Sequence, residues 1–167
     1  WLERQLGWRG ICIEPVPQYA ALLRARRLCT VVEAAIDAVE QEVTFDAGQG
    51  SDSGIVGTYD FGKSESGPKK QRGRYAQLYE HRRRDRNATQ MWTRTLGEVL
   101  ASHGAPAYID YMSLDLEGAE ERALPCAGSS FPWAHYTFGL LSIERPPPGL
   151  NACLFSYGYL FVKNNDV

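Results

Sequence analysis

Short apolar runs alternate with helical spacings of apolar residues along most of this chain. The four clearest runs lie at 11–13, 30–36, 108–116 and 136–143. Continuous apolar runs of this kind are typical of strands that are buried in a parallel sheet. Tyr19, Leu22 and Leu23 recur at helical spacing between the first two runs. The pattern therefore predicts an α/β fold that contains a right-handed strand–helix–strand unit.

Turn and capping residues place the remaining elements. Thr95 and Glu98 form a capping box, which predicts a helix over 96–102 that stops at Gly104. Further helices are predicted at 1–6, 119–124 and 150–157, and further strands at 42–45, 88–93 and 159–163. The segment 48–57 is rich in glycine and serine, which predicts a loop.

An acidic residue follows or ends each of the four apolar runs. These residues are Glu14, Asp37, Asp115 with Glu117, and Glu144. Because ligands of open α/β sheets bind beyond the carboxyl ends of the strands, we expect the acids to line one cleft. Glu14 could accept hydrogen bonds from ribose hydroxyls, and Asp37 from an adenine amino group; the alternative is that each is a turn or cap residue. The alternative is that Asp115 caps the next helix, with Glu117 and Glu120 as solvated acids of its first turn.

The composition is that of a single globular domain. The chain has 167 residues, of which 44% are hydrophobic and 23% are charged. A net charge of −2 predicts no strong attraction to nucleic acid or to anionic membranes. No apolar run reaches the roughly 20 residues that a membrane span requires. The sequence starts at Trp1 rather than at Met, so we expect that the natural protein has further sequence upstream.

The cysteines carry no recognisable motif. They are Cys12, Cys29, Cys126 and Cys153. No pair has the Cys-x-x-Cys spacing, so a zinc site or a thioredoxin-type redox motif is not expected. Reduced thiols are favoured over disulfides. The sequence does not fix the compartment, although a cytoplasmic location is favoured.

Residues 58–88 differ from the rest of the chain. They lack clear periodicity and carry nine of the eighteen Lys and Arg residues. The prediction is a solvated basic insertion. The alternative is a substrate loop that attracts an anionic group or an acidic partner.

Two motifs, in this order, resemble those of a known family. They are Leu-Gly-Trp-Arg-Gly-Ile-Cys-Ile-Glu-Pro at 6–15 and Ser-Leu-Asp-Leu-Glu-Gly-Ala-Glu at 113–120, with shorter matches at 34–36, 53–55 and 94–96. The combination resembles the FkbM-type methyltransferases over most of the chain except about 58–88. The resemblance implies a Rossmann-like class I methyltransferase sheet, mostly parallel with flanking helices. It also implies S-adenosylmethionine as cofactor and methylation of a hydroxyl group on a small molecule or a glycan.

The resemblance also implies roles for the acidic residues and their neighbours. Cofactor binding is implied for Glu14 at the ribose, for Ala35, Ile36 and Asp37 near the adenine, and for Asp115 near the sulfonium. Glu117, Glu120 and Glu144 would line the acceptor side, and the catalytic residues would be Asp115, Glu117 and Glu144. One of these carboxylates could take the hydroxyl proton as general base. No metal is predicted.

The chain departs from the family at its start. The family's first strand and its acidic-glycine loop, which holds the methionine end of the cofactor, would precede Trp1. The resemblance therefore implies that these 167 residues lack a central strand and bind the cofactor weakly. Two alternatives remain: a nicotinamide-dependent oxidoreductase, in which Glu14 keeps its ribose role, and a catalytically inactive binding module.

Overall fold

The computed structural model describes residues 1–47, 53–56, 88–126 and 131–163. The helices in these ranges are α1 Leu2–Leu6, α2 Pro17–Arg26, α3 Leu96–Ser102, α4 Glu120–Ala123 and α5 Pro148–Ser156. The strands are β1 Ile11–Ile13, β2 Thr30–Val32, β3 Ala35–Ile36, β4 Glu42–Asp46, β5 Gly54–Ile55, β6 Ala88–Arg94, β7 Tyr108–Leu114 and β8 Thr137–Ile143. The predicted basic insertion lies outside the described residues, apart from Ala88 at the start of β6.

Two of the sheets are parallel pairs. Strands β1 and β2 pair in parallel with α2 between them along the chain, which confirms the predicted strand–helix–strand order. Strands β7 and β8 also pair in parallel, with Tyr108 opposite Thr137 and Leu114 opposite Ile143. Parallel pairing brings the carboxyl ends of both strands to one edge. Residues that follow β7 and β8 are therefore neighbours in space.

The third sheet is mixed and has the strand order β3-β6-β4-β5. Strand β3 is parallel to β6, whereas β4 is antiparallel to both of its neighbours. The prediction of one strand over 30–36 was wrong, because the chain leaves one sheet after Val32 and joins another at Ala35. Glu33, at the break, forms an ion pair of 3.1 Å with Arg24 of α2. An apolar run indicates that a segment is buried, but it does not show which strand each half of the segment pairs with.

The described residues thus form a mixed α/β architecture, as expected, but in three sheets rather than one Rossmann-like sheet. Among these residues β1 pairs only with β2, and β7 pairs only with β8. The free edges of β1 and β7 line the same groove, which has a volume of about 1280 Å³. The groove lies between the two parallel pairs.

The main core packs α3, α4 and α5 against β7 and β8. Its most deeply buried members include Val99 of α3, Leu124 after α4, Phe138 of β8 and Leu150 of α5. A smaller cluster joins Val16, Ala35, Phe45 and Ile55. The helices that flank the acidic strand ends are therefore fixed by apolar burial, which is the main source of their stability.

Two helix ends match the sequence signals. The hydroxyl of Thr95 accepts a hydrogen bond of 3.3 Å from the backbone N–H of Glu98, and α3 spans 96–102 as predicted. Gly7 follows α1 with φ of 68°, the left-handed conformation that glycine adopts without strain. None of the helices among the described residues is long and apolar enough to cross a membrane.

The predicted last strand at 159–163 was wrong. These residues lie in no strand, and Leu160 and Val162 are more than four-fifths exposed. Tyr159 instead uses its phenol oxygen to accept a hydrogen bond of 2.8 Å from the backbone N–H of Phe138. The β8 amide of Phe138 is thus bonded to a side chain, so no backbone–backbone ladder between β8 and residues 159–163 begins there.

The expectation of reduced thiols was also wrong. Cys12 forms a disulfide with Cys29, and Cys126 forms one with Cys153, with Cα–Cα distances of 5.9 and 5.5 Å. The first pair meets because β1 lies beside β2, where Cys12 is opposite Val31. Sequence spacing gives no sign of either pair, since each depends on how distant elements pack.

Candidate active site

The loop after β7 carries the central acidic motif. Glu117 has a φ of 52° and Gly118 a φ of 98°, so two successive residues take left-handed conformations and turn the chain sharply. Helix α4 begins beyond this turn, with Ala119 rather than Asp115 at its N-cap and no capping side chain. The alternative interpretation of Asp115 as a helix cap was therefore wrong, and its carboxylate remains exposed at the strand end.

Glu120 holds this turn from the inside. The residue is 2% exposed, and its carboxylate accepts hydrogen bonds from the backbone N–H groups of Leu116, at 2.8 Å, and Gly118, at 3.3 Å. Glu120 was predicted to line the acceptor side or to be a solvated first-turn acid. The structure instead gives it buried contacts to the loop that carries Asp115 and Glu117.

Three acidic side chains meet where β7 and β8 end. Asp115, Glu117 and Glu144 each place a carboxylate oxygen within 4.8 Å of the others. Glu144 reaches this position because its backbone N–H continues the β7–β8 ladder to the carbonyl of Leu114, at 2.9 Å. The parallel pairing that the sequence predicted is what brings these three acids together.

The closeness of the acids changes the charge on Glu144. A hydrogen bond to Asp115, together with burial and repulsion from Asp115 and Glu117, raises the pKa of Glu144 from 4.5 to about 7. Arg145 opposes the shift through an ion pair of 2.8 Å. Two carboxylates at hydrogen-bonding distance share a proton because both cannot ionise without strong repulsion. The pair can therefore take up or release a proton near neutral pH.

Glu14 stands at the end of β1. Its Oε1 accepts a hydrogen bond of 2.8 Å from the backbone N–H of Val16. Burial raises the pKa of Glu14, and the hydrogen bond from Val16 lowers it in part. The same groove is lined by Glu14, Asp115 and Glu117, together with the buried residues Ala35 and Ile36. Four of the five residues predicted to bind a cofactor thus line one groove.

Asp37 differs from those four. Its side chain is fully buried, and its two oxygens accept hydrogen bonds of 2.6 Å each from Nε and Nη2 of Arg122. Gln41 donates a further bond of 2.8 Å, and the backbone N–H of Ala38 one of 2.6 Å. Burial by itself would raise the pKa of Asp37, but these donors outweigh it and lower it. Asp37 is not among the residues that line the groove.

Sequence reasoning missed Arg122 altogether. It lies 85 residues from Asp37 along the chain, in a charged stretch that reads as a solvated helix face. Only the packing of α4 against the end of β3 reveals the pair. The nearest sequence signal was Asp37 itself, since a buried carboxylate after an apolar run requires a partner.

A groove between strand ends that carry acidic side chains is typical of enzymes built on open α/β sheets. The family comparison makes the class specific. The family described as the methyltransferase FkbM domain matches residues 1–159, so the chain belongs to this methyltransferase family. The resemblance found in the sequence is thereby confirmed. Comparisons with curated proteins and with solved structures gave no match.

Proposed function

We propose that this methyltransferase domain uses S-adenosylmethionine to methylate a hydroxyl group of a small molecule or a glycan. Family membership supports the transfer of a methyl group. The observation that carries the choice of cofactor is the shared groove, where Glu14 at the end of β1 and Asp115 after β7 line one cavity with Ala35 and Ile36.

The groove suits a nucleoside cofactor in its chemistry. An ionised carboxylate has about four acceptor sites, and the Val16 amide occupies one on Glu14. Glu14 can therefore accept from both ribose hydroxyls. Ala35 and Ile36 belong to the lining of the groove and would provide apolar atoms for contact with an adenine ring. The volume of about 1280 Å³ exceeds the roughly 300–1,000 Å³ that is common for ligand sites.

The acid cluster suits the reaction. S-adenosylmethionine supplies an electrophilic methyl group on a positively charged sulfur when it is bound. The carboxylate of Asp115 would attract that charge, because opposite charges attract each other at short distance. Glu144, whose pKa lies near 7, would accept the proton of the acceptor hydroxyl. Most of the remaining acceleration would come from holding the acceptor oxygen in line with the methyl group.

The test is calorimetric titration of S-adenosylhomocysteine into the natural full-length protein and into its Glu14→Ala variant. We expect micromolar binding that weakens at least tenfold in the variant, which corresponds to about 1.4 kcal/mol. Glu33→Ala is the matched control, since Glu33 also follows a strand but pairs at the surface with Arg24. Absence of binding by the wild type would refute the cofactor assignment, and NAD would be the next ligand to titrate.

The two disulfides bear on where the protein works. Disulfides persist in oxidising compartments and are rare in the cytosol. We therefore propose an oxidising compartment in place of the cytoplasmic location that the sequence favoured. Mass spectrometry of the unreduced natural protein after maleimide labelling should find Cys12, Cys29, Cys126 and Cys153 unlabelled. Labelling of all four cysteines would contradict this proposal and indicate a reducing compartment.

A further inference from the structure

Helix α4 is tethered at two points although it is very short. It spans only Glu120–Ala123 and has no side-chain cap. A helix of one turn has no stability of its own, because nucleation fixes several residues for one hydrogen bond. Burial of Ala123 and Leu124 fixes the apolar side of this helix in the main core, and two polar side chains add specific contacts. Glu120 contacts the acidic loop, and Arg122 contacts the end of β3.

The first tether is the buried carboxylate of Glu120. A charged group in the interior is very unfavourable unless hydrogen bonds satisfy it. Glu120 meets that requirement with the N–H groups of Leu116 and Gly118, which lie on either side of Glu117. Both groups belong to the turn in which Glu117 and Gly118 are left-handed. The carboxylate therefore closes the turn that presents Asp115.

The second tether is the pair between Arg122 and Asp37. Two parallel bonds of 2.6 Å form a bidentate contact, which fixes direction as well as distance. Asp37 is itself immobilised by Gln41 and Ala38, and its backbone N–H bonds the carbonyl of Arg94 at 3.0 Å. The pair thus anchors α4 to the sheet that contains β3 and β6.

We propose that Glu120 and Arg122 are positioning residues that hold Asp115 against Glu144, with Asp37 as the anchor of Arg122. Neither residue need touch the cofactor or the acceptor; they act through the turn at 115–119. In this assignment the carboxylate of Asp37 serves the scaffold rather than the adenine. The relevance of these residues to methyl transfer rests on the proposed function, whereas the geometric claim does not.

The test follows the titration of Glu144 by carbon-detected NMR of its carboxyl group in the folded chain. The groups that face Glu144 are Asp115, Glu117 and Arg145, of which Asp115 has the largest effect. Loss of the Glu120 tether should let Asp115 move away. In Glu120→Ala we therefore expect the Glu144 midpoint to fall from about 7 toward 4.5.

The variants separate position from charge. Glu120→Gln removes the charge but keeps an acceptor oxygen for the two N–H groups, so the Glu144 midpoint should stay near its wild-type value. A purely electrostatic effect would shift Glu120→Gln and Glu120→Ala equally. Glu121→Ala is the matched control, because Glu121 is exposed on the same helix. In Glu121→Ala the midpoint of the Glu144 titration should match that of the wild type.

Arg122→Lys provides a second route if Glu120→Ala does not fold. Arg122 is 44% exposed, and lysine keeps the charge while losing the bidentate contact. The Glu144 midpoint should fall by at least one pH unit. An unchanged midpoint in a folded Arg122→Lys or Glu120→Ala protein would overturn the proposal. Since no cofactor is present in this assay, failure here would be distinct from failure of S-adenosylhomocysteine to bind.

Discussion

Reduction of the two disulfides should destabilise the protein by a predictable amount. The bridges join residues 17 and 27 positions apart. The loss of chain entropy in the unfolded state for loops of this size corresponds to about 3 kcal/mol for the shorter loop and about 3.5 kcal/mol for the longer. Full reduction should therefore remove about 6–7 kcal/mol, which is comparable to the whole stability of many domains.

The assay is thermal unfolding with and without a phosphine reductant, followed by circular dichroism. For a chain of this length, 1 kcal/mol corresponds to about 2–4 °C in Tm, so each bridge should contribute about 6–14 °C. The Cys12→Ala, Cys29→Ala double variant isolates the second bridge, and the Cys126→Ala, Cys153→Ala double variant isolates the first. A variant without cysteines is the control, and its Tm should not respond to reductant.

The two isolated bridges should differ by only about 0.4 kcal/mol, because the stabilisation grows with the logarithm of loop length. A loss below about 1 kcal/mol for either bridge, with complete reduction shown by mass, would refute the reasoning. So would a large asymmetry between the two bridges, which would point to contacts in the folded state instead of constraint of the unfolded chain.

Two further predictions concern buried and shared charges. Asp37→Asn should lower the free energy of unfolding in urea by about 2–3 kcal/mol. This is below the usual value for a buried pair, because Arg122 is half exposed. As a control, Glu33→Gln should lower the free energy of unfolding by less than about 1 kcal/mol. Since the pKa of Asp37 is lowered by folding, its contribution is present above about pH 3.9 and is lost on further acidification, so a pH-independent difference would contradict the assignment. Glu144 has the opposite sign: its raised pKa gives stability that is full below pH 4.5 and lost as the pH rises to about 7. Urea unfolding at pH 5 and pH 8 should show this decline, and Asp115→Asn should reduce it; an equal decline in both proteins would refute the shared proton.

Local signals were sufficient for several elements. The capping box at Thr95 and Glu98 predicted the start of α3, because a cap is decided by side chains within one helical turn. The apolar run at 11–13 predicted β1, because the apolar character of a short run is also a local property of the sequence. The meeting of Asp115, Glu117 and Glu144 also followed from sequence, since parallel strands bring their carboxyl ends to one edge.

Contacts between segments that are distant in sequence could not be predicted in the same way. The run at 30–36 has one character in sequence, yet β2 and β3 belong to different sheets. The Tyr159 contact replaces a strand that the apolar residues around it favoured. In both cases the apolar pattern shows that a segment can be buried or can pair as a strand. Whether the segment does so depends on which partner the fold places beside it.

The amino-acid order alone thus determined the family, the alternation of strands and helices, and the identity of the acids at the strand ends. Tertiary structure decided which of those acids lie close together. It gave Glu144 a shared proton with Asp115, and it joined Asp37 to Arg122 across 85 residues. It also paired the four cysteines. The physical reason is the same throughout: charge, proton affinity and disulfide formation depend on distances of a few ångströms between groups, which packing sets and local spacing does not.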